Sequence, residues 1–159
     1  MTFIEIKNPV IDHSVRGLCW RPYEGHPHGC PNYKKCDRCP PRAALLQNAF
    51  DLNDRMFVVY NAFDIASHVM KMSQRHPKWS DRQLRCCLYW QPTARKALRR
   101  EINIFLSIHP GLYIVETPEA MGLNVTATMA SVGIHLEWPP VNVTYQVALA
   151  GTQHHTTGI

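Results

Sequence analysis

The sequence predicts a single α/β or α+β domain in which a mixed sheet packs with helices and carries a Cys-rich metal-binding loop. Three observations carry that reading. The chain has 159 residues, the size of one domain, and 45% of them are apolar, enough for a core. Stretches of strand character interleave with stretches of helical spacing, and there are no internal repeats. Residues 18–42 hold four of the six cysteines and five of the twelve prolines, with too little aliphatic content to fold by packing. We place the globular domain at 1–150, the loop at 18–42, and a polar, flexible tail at 151–159.

Taken in order, Phe3 to Ile6 alternate as a short strand before Asn8-Pro9. The Cys loop follows. A helix is expected after Pro40-Pro41, with Ala44, Leu45, Ala49 and Phe50 at helical spacing and Pro41 at its start, where a missing N–H costs nothing. Met56 to Tyr60 is a β-branched and aromatic strand. Asp64 caps a helix to about Arg75, with Ile65, Val69 and Met72 on one face. Ser80 is the N-cap of the next. Pro92 predicts a break near residues 89–91 and a further helix to Ile108. Its apolar face is Leu98, Ile102, Phe105 and Leu106, opposite Arg95, Lys96, Arg99 and Arg100. Leu112 to Val115 is a strand, Met121 to Val132 a helix ended by Gly133, and Ile134 to Trp138 and Val143 to Leu149 are the last strands.

The opening residues lack a basic flank followed by an apolar run, and no apolar run has the length to span a bilayer. The expected location is the cytoplasm, with no membrane association. Thiols stay reduced there, so clustered cysteines point to metal or catalysis before disulfides. A net charge of +5 and a pI near 9.0 permit a nucleic-acid or nucleotide partner. Arg16, Arg21, Lys34, Lys35, Arg38 and Arg42 surround the loop cysteines, and Arg82, Arg85, Arg95, Lys96, Arg99 and Arg100 crowd the later helices.

Ten residues separate Cys19 from Cys30, five separate Cys30 from Cys36, and two separate Cys36 from Cys39. The last pair puts two sulfurs on one tight turn, as metal sites do. Proline follows Cys30 and Cys39, as it follows the last cysteine of bacterial ferredoxin runs. The spacing matches neither a ferredoxin nor a common zinc finger. Three readings stand side by side. All four cysteines close a zinc or 4Fe–4S site; three hold a 4Fe–4S cluster with one iron open to substrate; or all four are reduced thiols without a metal. His26 and His28 are further ligands or hydrogen-bond donors to sulfur.

The segments GHPHGCPNY and CPPR resemble a Cys-rich loop of small prokaryotic and phage proteins described as predicted metal-binding proteins of unknown function. RQLRCCLYWQ and LNVTATMASVGIHLEWPP extend the likeness. Its firm positions correspond to Cys19, Cys30-Pro31 and Cys39-Pro40-Pro41, but not to Cys36. The resemblance therefore implies metal binding, with three ligands or a fourth from Cys86 or Cys87, and implies no activity.

Cys86 and Cys87 are the candidate catalytic thiols. One can complete a cluster or act as a nucleophile beside arginine; the bland alternative is that both are small core residues. Arg82, Arg85, Tyr89 and Gln91 are the candidate substrate-binding residues, a stacking and hydrogen-bonding platform for a nucleotide or RNA base. Trp90 belongs to that platform or to the core. Thr126 and Thr128 sit at a helix start that can hold an anion. Glu137 is an acid or base only if the fold brings it to the cysteines. There is no P-loop and no GxGxxG.

The function expected is a 4Fe–4S protein with a non-redox or sulfur-related activity on a nucleotide or RNA. The alternatives are a zinc-stabilised nucleic-acid-binding module without catalysis, or a subunit that works with a partner protein.

Overall fold

The computed structural model describes residues 2–23 and 26–155. Its centre is strand β2, Met56–Asp64, whose first four residues are all buried. β1 (Phe3–Ile6) lies on one side of it. On the other, β4 (Val143–Gly151) pairs along its whole length, from Met56 opposite Gly151 to Asp64 opposite Val143. β3 (Tyr113–Val115) closes the far edge against β4, giving the order β1-β2-β4-β3. Every pairing is antiparallel. The fold is thus α+β, and the sheet is not mixed. β2 reads as a continuous apolar run because both of its faces are covered, a pattern more usual in parallel sheets.

Strand alternation divides the core into two layers. Met56, Val58, Val147 and Leu149 face Leu46, Phe50, Leu123 and Met129. Phe57, Val59, Ala148 and Ala150 face the other way, onto Leu98, Ile102 and Phe105. The two alanines leave room for helix α4 (Cys87–Ile108) to lie on the sheet. Its four basic residues at 95, 96, 99 and 100 are exposed, as the spacing predicts.

The helix expected after Pro41 is one turn, α1 (Leu46–Ala49). Residues 40 and 41 have no N–H to donate, and the Ala43 carbonyl is taken by the Arg16 guanidinium at 3.1 Å. α2 (Ile65–Arg75) is capped by Asp64, which accepts the Ser67 N–H at 2.8 Å. α3 (Asp81–Leu84) is held by a capping box between Ser80 and Gln83. The break then falls at Arg85-Cys86, not at residues 89–91. Trp90 Nε1 donates to the Arg85 carbonyl at 3.0 Å and fixes the turn there, while Pro92 sits inside α4 near its start.

The helix expected over 121–132 is two pieces, a 3-10 turn at Pro118–Met121 and α5 (Val125–Ser131). Gly122 separates them at φ +97°, where a Cβ would meet the His13 ring at 2.7 Å. Residues 134–138 form no strand. Instead the Glu137 carboxylate accepts the N–H groups of Val141 at 3.0 Å and Asn142 at 2.8 Å, which turns the chain into β4. β4 continues through Gly151. Beyond it, the Asp51 N–H donates to the Thr152 carbonyl at 2.9 Å and the His154 N–H to that of Ala49 at 2.8 Å. The first residues of the expected tail are thus tied to the sheet layer; 156–159 lie outside the described residues. Among the described residues no helix is long and apolar enough to cross a membrane.

Candidate metal centre

The loop is closed at a neck. A 3-10 helix, His13–Cys19, is capped by Asp12, which accepts the Ser14 N–H at 3.0 Å, and delivers Cys19 at its end. The Cys30 N–H then donates to the Cys19 carbonyl at 3.1 Å. Gly29 makes this approach with φ +77°; a Cβ there would lie 2.9 Å from the Trp20 carbonyl carbon. Arg16 anchors the neck to the domain through Nε, 2.9 Å from the Ala120 carbonyl, as well as through Ala43.

Beyond the neck, Cys36 and Cys39 share one turn. The Cys39 N–H donates to the Cys36 carbonyl at 3.1 Å, and the two sulfurs stand 3.6 Å apart. The Cys39 thiol also donates to the Asn32 carbonyl at 3.2 Å. Both cysteines line a shallow surface pocket with Lys34, Pro40, Pro41 and Arg42. Arg42 pairs with Asp37 at 2.9 Å, bracketing Cys39.

The electrostatics relate the thiols to one another. Burial, then the neighbouring Cys30 and Cys39, pushes the Cys19 thiol up to about 11. Exposed Cys36 is the opposite case: the Arg38 N–H and then the Cys39 thiol, both hydrogen-bonded to its sulfur, hold it below its ordinary value. Burial raises the Cys87 thiol, with further contributions from Cys86 and Cys30. The Tyr23 phenol is raised by burial and then by Cys30, Cys87 and Cys19. The Tyr23 phenol thus feels the thiols of Cys30, Cys87 and Cys19 electrostatically, and the Cys19 thiol those of Cys30 and Cys39. Among the described residues, no three His, Cys, Asp or Glu side chains are gathered at metal-ligating geometry. The donor chemistry suits a soft metal, but only the Cys36–Cys39 pair has its sulfurs in contact.

Of the candidate thiols at the start of α4, Cys86 is the residue before the helix and makes no side-chain cap, while Cys87 is half-buried and packs against Ile65, Trp90 and Ala94. Of the substrate-binding candidates, Arg85 is engaged within the chain, 3.0 Å from Asp81 across one turn of helix. Trp90 is core, stacked on Phe63 at 5.6 Å. Gln91 is half-buried, and Arg82 and Tyr89 are exposed. His26 packs on the Tyr23 ring at 4.8 Å, and His28 is exposed.

Two further expectations are altered by the structure. Thr128 is buried and its hydroxyl accepts the Val10 N–H at 3.0 Å, while that of Thr126 accepts from Trp138 Nε1 at 3.1 Å. Burial closes Thr128 to an anion, whereas Thr126 is exposed and keeps its O–H to donate. Glu137 is held down to about 2 by hydrogen bonds, chiefly from the N–H groups of Asn142 and Val141, so it is a fixed carboxylate and not a proton donor.

Sequence reasoning passed over His76 and Trp79, whose rings stack at 3.9 Å with planes 8° apart; Trp79 in turn meets Tyr89 at 4.9 Å. No periodicity links position 79 to 89.

No family model matches the chain, and neither does any curated protein or solved structure.

Proposed function

We propose that this chain is a metal-binding protein whose centre is made by the thiolates of the 18–42 loop. The Cys36–Cys39 sulfur separation of 3.6 Å carries the reading. Two thiolates on one tetrahedral ion with bonds of about 2.3 Å stand about 3.8 Å apart, so this turn has the geometry of one metal's half-shell. Cys19 and Cys30, joined at the neck, are the natural second half. Lys34, Arg38 and Arg42 offset the negative charge that such a set carries. Thiolates in this number need a reducing compartment, which is the basis for placing the protein in the cytoplasm.

The separation favours a single zinc ion over a cluster, because each sulfur of a 4Fe–4S site binds its own iron. The cluster reading has a separate support. Burial, and then Cys30 and Cys39, raises the Cys19 thiol, and Cys30 also contributes to raising that of Cys87, which makes Cys87 the candidate fourth sulfur. That set omits Cys36, as the likeness to metal-binding loops implies. A bound zinc would hold the loop in one conformation; a cluster would add a Lewis-acid or electron-carrying centre. The excess of Lys and Arg in residues 65–100 suits a nucleotide or RNA partner.

Anaerobic purification followed by iron, sulfide and zinc analysis tests the proposal. Colourless protein with one zinc, lost in both Cys36→Ser and Cys39→Ser, is the result expected. Brown protein whose iron survives Cys36→Ser but not Cys30→Ala or Cys87→Ser would move the conclusion to the cluster. Protein that retains neither metal, even after reconstitution, would overturn both.

A further inference from the structure

We infer that the corner where α2, α3 and α4 meet binds single-stranded nucleic acid, with Tyr89 as the stacking surface for a base. This deepens the nucleotide-or-RNA part of the reading above and does not depend on which metal is bound.

The rings of His76, Trp79 and Tyr89 form a bent column: the first pair is stacked at 3.9 Å with planes 8° apart, and Tyr89 meets Trp79 at 4.9 Å, tilted by 37°. The column runs outward and does not enter the core. Tyr89 is 51% exposed and its neighbour Leu88 74% exposed, whereas Trp90, one residue on, is 7% exposed. An aromatic run ending in solvent leaves a π-face for another flat ring. Stacking on such faces is how proteins hold unpaired bases without regard to sequence.

The backbone that carries these rings is held by hydrogen bonds. The His76 N–H donates to the Met72 carbonyl at 2.8 Å, the Trp79 N–H to that of His76 at 3.0 Å, and the Tyr89 N–H to that of Cys86 at 3.1 Å. The Ser80–Gln83 capping box follows directly. A pre-set surface spends less of its binding energy on ordering side chains.

Charge identifies the partner. Residues 65–100 contain nine of the 17 Lys and Arg and, as the only acidic residue, Asp81, one of 12 in the chain. The positive balance of the protein thus resides in these helices. Lys78 adjoins Trp79 and Arg82 follows three residues on; both are exposed, unlike Arg85, which Asp81 occupies. Cations beside an exposed ring column fit a phosphate backbone whose bases are free to stack. A duplex offers no such free faces, and an acidic peptide would use the cations but not the rings.

The test is fluorescence anisotropy with the full chain as purified and labelled RNA and DNA oligonucleotides of about 12 nucleotides, a length within the span of single-strand sites. Matched duplexes and a poly-glutamate peptide serve as competitors, and metal content is measured on each preparation. Tyr89→Ala and Trp79→Ala are expected to weaken single-strand binding about tenfold or more, with Tyr89→Phe close to wild type. Lys78→Glu with Arg82→Glu should weaken it further and flatten its salt dependence. Metal content stays unchanged in all of these variants. Far-UV circular dichroism checks their folding, and Tyr89→Phe retains the packing should the alanine variants be unstable. Absence of single-strand binding at low salt, equal affinity for duplex, peptide binding that survives the ring variants, or a Tyr89→Ala protein that binds like wild type would overturn the inference. Loss of metal from wild type with binding intact would remove the metal proposal and leave this one standing.

Discussion

The Cys loop and the central sheet solve the same problem by different means. In β2, Met56 through Val59 are all buried, and the pairing with β4 extends over nine residues. Between His26 and Arg42 only Gly29 and Pro40 are buried. The sheet offsets its conformational entropy with apolar area on two faces. The loop has little such area and relies on a neck, a CxxC turn and, in our proposal, ligand bonds. A domain can therefore lose one form of order and keep the other.

That contrast breaks most sharply on metal removal. Structural zinc contributes about 10–16 kcal/mol to the folding of small zinc peptides, so chelation under reducing conditions should expose 20–42 to proteases while the sheet core stays protected. Limited proteolysis read by mass spectrometry checks this; simultaneous digestion of β2 and β4 would show that the two regions are one cooperative unit. Phe105→Ala is the reciprocal experiment. Phe105 is fully buried between α4 and the sheet, so its loss should cost about 3–5 kcal/mol in urea unfolding and leave metal content at wild-type stoichiometry. Thr128→Val keeps the volume but leaves the Val10 N–H without its acceptor, for about 1–3 kcal/mol by the same measurement. Ser80→Ala, which removes the cap of α3 on the exposed corner, should cost about 1 kcal/mol.

The smallest effect concerns pH. The Glu137 carboxyl is depressed in the folded protein, so the folded state favours its ionised form. Its stabilising contribution is complete above the ordinary carboxyl range and fades as pH falls toward about 2. Thermal midpoints of wild type and Glu137→Gln should converge across that interval and differ above it. A constant difference at all pH values would mean that the turn is held by something else.

What could be read in the sequence follows the same divide. The strands at 3–6, 56–60 and 143–149, the apolar face of α4 and the caps at Asp64 and Ser80 were all legible, because periodicity and capping chemistry are local. The all-antiparallel order was not. A strand buried on both faces shows no alternation, and nothing in residues 56–64 reveals the direction of a partner some 80 residues away. Pro92 misled as to the break, since the deciding contact is the Trp90 indole on the Arg85 carbonyl, which propensity does not see. In the site, the crowding of cysteines was plain from spacing. The meeting of the His76, Trp79 and Tyr89 rings depends on where α3 turns.

The strand order also bears on how the protein is made. β4 follows the other three strands in the chain, yet it lies between β2 and β3. Until it emerges from the ribosome, β1 and β2 can pair with each other, but β3 has no neighbour and neither core layer can close. Contacts between segments so far apart in sequence form late and slowly. The Cys19–Cys30 neck spans only a short length of chain and needs no β4 to form its hydrogen bond. A nascent chain thus presents its thiols, with the neck able to close, throughout the interval in which the sheet still lacks its centre. If the loop binds metal as proposed, metal supply during synthesis, as much as metal affinity afterwards, governs how much of this protein reaches its finished form.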